Sequence, residues 1–197
     1  MVVANHSLCF LILTNNHMRD KLNSRERFFG EAIIIIIFEL IYNFSFALFC
    51  NLYYRALSGT KVSGKKTAAS TIIFALILSA ATIYLHVTGS INYLMEAGWR
   101  SILLAFLCDT IVSFGIFWII IRIIDKKTPK FSSAALSYII NIVILVASVF
   151  IFGMIFGMIA VYFGAEPDLD LFVNIGIIMS VPISTVVYLI IKRKNGK

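Results

Sequence analysis

The sequence predicts an all-α protein, a polytopic transmembrane helix bundle of about five spans. Of its 197 residues, 60% are hydrophobic and only 14% are charged, whereas soluble domains have about 45–50% and about 25%. The mean hydropathy is +0.93. A soluble domain of this length needs more polar side chains to cover its surface. Five apolar runs each exceed the roughly 20 residues that cross a hydrocarbon core, so lipid is the expected solvent.

The apolar runs are separated by short connections rich in Gly, Ser, Pro or charged residues. The first run covers residues 32–54 and includes five consecutive isoleucines. The others cover residues 68–88, 101–124, 134–163 and 171–191. The fourth would be about 45 Å long as a helix, so we expect it to tilt, kink or project beyond the bilayer. Barrel strands would alternate apolar and polar residues over about ten positions, and these runs do not.

The runs define a single membrane domain with two basic flanks. Residues 31–191 form the predicted transmembrane domain, and residues 192–197 form a basic tail. Residues 1–30 are predicted to be a poorly ordered basic segment. The apolar stretch within residues 1–17 is too short to span a bilayer, and Met18 offers a second start. We therefore expect residues 1–17 to be dispensable.

The distribution of Lys and Arg predicts the orientation of the chain. Short connections on the cytoplasmic side carry an excess of these residues. The connections after the first and third runs and the C-terminal tail are basic, whereas the connection after the second run has one Arg and that after the fourth has none. We therefore expect a cytoplasmic C-terminus and an external acidic connection after the fourth run. The Ile-, Lys- and Asn-rich usage and the lack of a targeting signal favour a bacterial cell membrane.

The first run conflicts with this pattern, because a second basic cluster precedes it. If the run spans, that cluster lies outside, against the positive-inside rule. The alternative is a re-entrant hairpin that turns near the polar residues in the middle of the run. We favour a simple span, because 23 apolar residues insert readily and the rule is a bias. The preceding cluster is Arg19, Lys21, Arg25 and Arg27, and the polar residues are Glu39, Asn43 and Ser45.

Polar residues inside the apolar runs are the candidates for function. A charge at mid-bilayer costs at least about 2.5–3.5 kcal/mol, so it needs a partner, water or a proton. Glu39 and Asn43 lie four residues apart on one helix face. Asp109 in the third run and Asn141 in the fourth could complete a polar path with them. The competing interpretation is that each forms an interhelical hydrogen bond and has only a structural role.

The second half of the fourth run carries a stripe of small residues. Small residues let helix backbones approach closely in lipid, where packing drives association. We interpret the stripe as a helix–helix contact within the chain, or alternatively between copies of it. The stripe consists of Gly153, Gly157, Ala160 and Gly164.

Several function classes have no support in the sequence. We find no catalytic constellation, phosphate-binding loop or metal-binding motif, and so we expect neither an enzyme nor a cofactor. Cys9, Cys50 and Cys108 lack metal-ligand or disulfide spacing. The net charge of +7 lies in clusters at the ends of apolar runs, which suits anionic lipid better than nucleic acid.

Two hypotheses about function remain. The leading one is a protein, or a subunit of one, that transports a small solute or an ion. Its polar path would include Glu39, Asn43, Asp109 and Asn141, with the small-residue stripe available for a homo-oligomer. The rival is a non-catalytic membrane partner, such as a regulator, an assembly factor or an immunity protein. That role needs only a specific helix face in the bilayer.

Overall fold

In the computed structural model, the described residues, 24–60, 63–88, 99–164 and 169–195, form helices and short turns and contain no strand. Five of these helices are long and apolar enough to cross a membrane. The predicted fold class, an all-α multi-pass membrane protein, is therefore confirmed. The helices are α1 (Ser24–Ser58), α2 (Gly64–Val87), α3 (Trp99–Asp125), α4 (Phe131–Tyr162) and α5 (Leu169–Asn195).

Helix α1 runs without interruption through the polar residues in its middle. The re-entrant alternative required a turn near Glu39, Asn43 and Ser45, but all three are helical. The part of α1 that is apolar enough to span begins at Ile36 and ends at Ser58. The helix itself begins at Ser24, within the segment that we predicted to be poorly ordered. Residues 1–23 lie outside the described part of the chain.

Helix α1 is the centre of the bundle and contacts α2, α4 and α5. Helix α3 packs mainly on α2, and α4 lies along α5. The core between them is aromatic: the ring centroids of Phe46 and Tyr138 are 5.4 Å apart, and those of Phe74 and Phe117 are 5.3 Å apart. Burial follows this arrangement, since 50% of the spanning window of α1 is buried and only 11% of that of α4. Of the five spanning helices in the described part of the chain, α4 is therefore the one least covered by its neighbours.

Helices α4 and α5 approach most closely at Gly176. A Cβ atom on Gly176 would lie 2.4 Å from the Cα atom of Val149 and 3.1 Å from the carbonyl oxygen of Ser148. Gly153 and Gly157 follow Val149 at intervals of four residues, so they lie on the same face of α4. The small-residue stripe therefore continues the surface of α4 that receives α5, and this placement favours a contact within the chain.

Gly164, the last residue of the predicted stripe, ends α4 instead of packing against another helix. It follows the C-cap residue Phe163 and has a φ of +72°, which favours glycine. Its amide donates to the carbonyl of Val161 at 3.0 Å. A Cβ atom at this position would meet nothing within 4 Å. Its spacing in the sequence matched the stripe, but the helix has already ended.

One end of the bundle gathers the basic connections. Both guanidinium NH groups of Arg55, at the end of α1, donate to the carboxylate of Asp125, at the end of α3, with the longer contact at 3.1 Å. Asn195, at the end of α5, donates to the carbonyl of Ala56 at 3.3 Å. The α1–α2 and α3–α4 connections and the end of α5 therefore share one end, which we call the basic end. This is the grouping that the charge alternation predicted.

Candidate functional site

Glu39 and Asn43 lie on the buried face of α1, and each side chain is only 3% exposed. They share that face because they are four residues apart. The Asn43 amide donates a hydrogen bond of 3.2 Å to the hydroxyl of Ser79 on α2. A carboxyl group is thus enclosed between helices, one turn from a polar link to α2.

Asp109 enters the same region from α3. The hydroxyl of Ser113, one turn further along α3, donates to the Asp109 carboxylate at 3.3 Å. Tyr138 of α4 packs its ring on Phe114, with centroids 5.7 Å apart, and its hydroxyl lies beside Ser113. Asp109, Ser113 and Tyr138 therefore form a row of polar groups that reaches from α3 to α4.

Tyr42 lies near both carboxyl groups. It is 6% exposed and lies one turn from Glu39 on α1. Its hydroxyl is close enough to both Glu39 and Asp109 for Coulombic interaction with each. Within the described residues, the Tyr42 hydroxyl is buried without a hydrogen-bond partner. Because an unpaired buried hydroxyl costs about 1–3 kcal/mol, the Tyr42 hydroxyl is suited to a water molecule or a polar solute.

Asn141 of α4 meets α1 at a level different from that of the other three predicted site residues. Its amide donates to the carbonyl of Phe46 at 2.9 Å and to the sulfur of Cys50 at 3.2 Å. Phe46 is seven residues from Glu39, which is about 10 Å along a helix. The structure thus brings Glu39, Asn43 and Asp109 to one cluster around Tyr42, and Asn141 lies one to two turns away.

A cavity of about 420 Å³ is lined by Tyr42 and Asn141, whereas Glu39, Asn43 and Asp109 are not among the described residues that line it. The cavity lies between α1, α4 and α5. Its α5 wall includes Pro182, which leaves one backbone carbonyl without its helical partner. Most of the lining is apolar, so the polar groups are few and specifically placed. They belong to Tyr42, Ser45, Asn141, Ser180 and Ser184.

A second polar pair lies closer to the basic end and has a structural role. The hydroxyl of Ser70 on α2 donates to the side-chain oxygen of Asn51 on α1 at 2.8 Å, and both residues are fully buried. The Asn51 amide in turn donates to the carbonyl of Ala47 at 3.0 Å. Both hydrogen-bonding groups of Asn51 therefore have partners, which leaves this pair no free group for a ligand.

Sequence reasoning missed several members of the cluster. Tyr42 and Tyr138 counted only as apolar residues, and Ser79 counted as an ordinary residue of the second run. A stripe of small and hydroxyl residues along α2 could have identified the face that meets α1. The buried members of that stripe are Ser70, Thr71, Ala75, Ser79 and Thr82.

Comparison with known proteins adds no family to these observations. No protein-family model matches the sequence, and searches of curated proteins and of solved structures give no match. Among the described residues, no group of three His, Cys, Asp or Glu side chains could hold a metal ion. Cys50 is buried, Cys108 is exposed, and both are free thiols. The inference of function therefore depends on the polar cluster and the cavity.

Proposed function

We propose that this protein transports a small solute or an ion across the cell membrane, with Glu39 and Asp109 as protonatable groups of the path. The observation that carries the proposal is the almost complete burial of Glu39, at 3% exposure, inside an apolar bundle. An ionisable residue at such depth is costly, and in membrane proteins it typically faces a pathway or a proton relay.

The surroundings of Glu39 support this proposal. Tyr42 lies close enough to both acids for Coulombic interaction, and it also lines the 420 Å³ cavity, which the acids themselves do not. The cavity extends to Asn141, so polar groups continue for about 10 Å along α1. During transport, each acid would alternate between two protonation states. The ionised carboxylate would bind a cation or water, and the neutral, protonated form is the one that apolar surroundings tolerate.

The test is ion flux through the purified chain in liposomes. We expect wild-type vesicles to conduct protons, Na⁺, K⁺ or Cl⁻ above the protein-free background, measured with an internal pH-sensitive dye and in planar bilayers. Glu39→Gln and Asp109→Asn keep the side-chain shape but cannot ionise. Each should reduce the flux toward the background. Glu166→Gln, outside the five apolar runs of the sequence, is the matched acid-to-amide control and should conduct like the wild type.

Two outcomes would contradict the proposal. One is a double variant, Glu39→Gln with Asp109→Asn, that conducts as well as the wild type. The other is a wild-type chain that is indistinguishable from empty vesicles for all four ions, which would contradict an ion as the transported species. Circular dichroism and gel filtration in detergent separate loss of function from loss of fold.

The second candidate is a non-catalytic membrane partner, and the exposure of α4 favours it. Large apolar side chains on the outer face of α4 are more than half exposed, and they recur at intervals of four residues. Such a face could receive a partner helix as well as lipid. The residues are Phe150, Met154 and Met158.

Outer-face variants distinguish the two candidates. Met154→Ala with Met158→Ala changes only lipid-facing atoms, so a transporter should keep its flux. If the chain is instead a membrane partner, the Met154→Ala, Met158→Ala variant should no longer recover its binding protein in a detergent pull-down. The Glu39→Gln variant should still recover that protein. Gly153 and Gly157 are poor choices for this test, because they lie on the face of α4 that receives α5.

A further inference from the structure

A second cavity, of about 480 Å³, opens at the basic end of the bundle. The α1–α2 and α3–α4 connections form its walls. Tyr54, which is only 3% exposed, and the largely buried Asp125 line it as well. Hydroxyl groups of Ser58, Thr60, Ser63 and Thr128 complete the polar lining.

Three lysines give this cavity its charge. Lys66, Lys127 and Lys130 line it, and all three are exposed. None of them forms an ion pair with another described residue. The one carboxylate in the lining is that of Asp125, and Arg55 engages both of its oxygens. The charge of Asp125 is therefore balanced from outside the cavity, and the three ammonium groups remain for a ligand.

The backbone adds to this positive potential. Helices α2 and α4 both begin at the cavity, so the positive ends of two helix dipoles point toward it. Neither helix has an acidic residue in its first turn, and Lys130, the N-cap residue of α4, makes no side-chain capping bond. Without a ligand, lysines at helix N-termini oppose the dipoles, whereas a bound anion would satisfy both.

We propose that this cavity binds a phosphate group. The three ammonium groups, the hydroxyl donors and the two helix N-termini are the groups that bind phosphate oxygens in proteins. The cavity lies where the spanning segments end, at the level of lipid headgroups, and basic pockets between transmembrane helices bind anionic headgroups. The ligand is therefore a phosphate ester, either in an anionic phospholipid or in a soluble compound.

The test is binding of fluorescent short-chain phosphatidylglycerol to the full chain in zwitterionic detergent, measured by anisotropy. The variant combines Lys66→Gln, Lys127→Gln and Lys130→Gln. The control removes equal charge at the same end, outside the cavity, through Lys192→Gln, Arg193→Gln and Lys194→Gln. One lysine at a membrane surface contributes about fivefold, so the cavity variant should bind about a hundredfold more weakly. The control residues do not line the cavity, so screening should keep the change in binding below about threefold.

Competition identifies the source of the phosphate. If glycerol 3-phosphate displaces the labelled lipid, the site binds soluble phosphate esters. If only phosphatidylglycerol displaces it, the lipid headgroup is the ligand, and phosphatidylcholine should then compete poorly. Equal weakening by the cavity variant and the control would overturn the proposal, because the attraction would be diffuse. Unchanged binding in the cavity variant would overturn it too. Neither result depends on the flux through the Glu39 path.

Discussion

The contact between α4 and α5 gives a prediction about stability that follows from distances in the structure. In Gly176→Ala, the new Cβ atom would lie 2.4 Å from the Cα atom of Val149 and 3.0 Å from its nitrogen. Carbon atoms in contact are normally about 3.5–4.0 Å apart. These are backbone atoms, so no side chain can rotate away and the helices must separate by about 1 Å or more.

The expected cost of this overpacking is about 1–3 kcal/mol. It is partly offset by the higher helix propensity of Ala, worth up to about 1 kcal/mol. Gly115→Ala in α3 is the matched control, because a Cβ atom there would meet nothing within 4 Å. Both variants gain the same helix propensity, so this effect cancels when their free energies of unfolding are subtracted. The remaining difference should equal the overpacking cost at Gly176.

The assay is unfolding of the detergent-solubilised chain by SDS, followed by circular dichroism. Gly176→Ala should unfold at lower SDS than the wild type, and Gly115→Ala at an equal or higher concentration. If Gly176→Ala is as stable as Gly115→Ala, helices α4 and α5 do not meet backbone to backbone at this point. The inference that the small-residue stripe continues this contact would then lose its support.

Three further predictions concern the polar links and the orientation. Asp125→Asn leaves Arg55, which is 10% exposed, without its counter-charge and should destabilise the fold by no more than the roughly 3–5 kcal/mol of a fully buried pair, whereas Arg55→Met with Asp125→Leu should recover most of that loss in the same unfolding assay. Ser70→Ala removes one interhelical hydrogen bond and should cost about 0.6 kcal/mol and no more than about 1.7, while a larger loss would mean that Asn51 is left unsatisfied. A cysteine introduced at Asn195 should react with an impermeant thiol reagent only in inside-out vesicles, and labelling of intact cells would reverse the predicted orientation.

The fold was predictable because length and hydropathy determine which segments can cross a bilayer. All five apolar runs are helices, and the helices continue past the runs at several ends. Helix α1 begins at Ser24 and α5 continues to Asn195, since polar and charged residues can extend a helix into the headgroup region. Hydropathy locates the buried part of a helix but not the end of its hydrogen bonding.

The candidate site was predictable only in part. The spacing of Glu39 and Asn43 placed them on one face, but periodicity does not tell which helix that face meets. Gly176 was missed because a single glycine in an apolar run has no pattern of its own. The pairing of Arg55 with Asp125 was missed because hydropathy does not tell which helix ends lie side by side.

The most direct test of the transport proposal is whether water reaches the cavity between α1, α4 and α5. In a background with all three native cysteines replaced by serine, Ser45→Cys and Ser180→Cys line the cavity, and Val143→Cys, at a position 57% exposed on the outside of α4, faces lipid. We predict that a charged methanethiosulfonate reagent modifies the two cavity cysteines and leaves the lipid-facing one unmodified. If all three cysteines stay unmodified, the cavity is dry or filled by lipid, and the proposed path through it is contradicted.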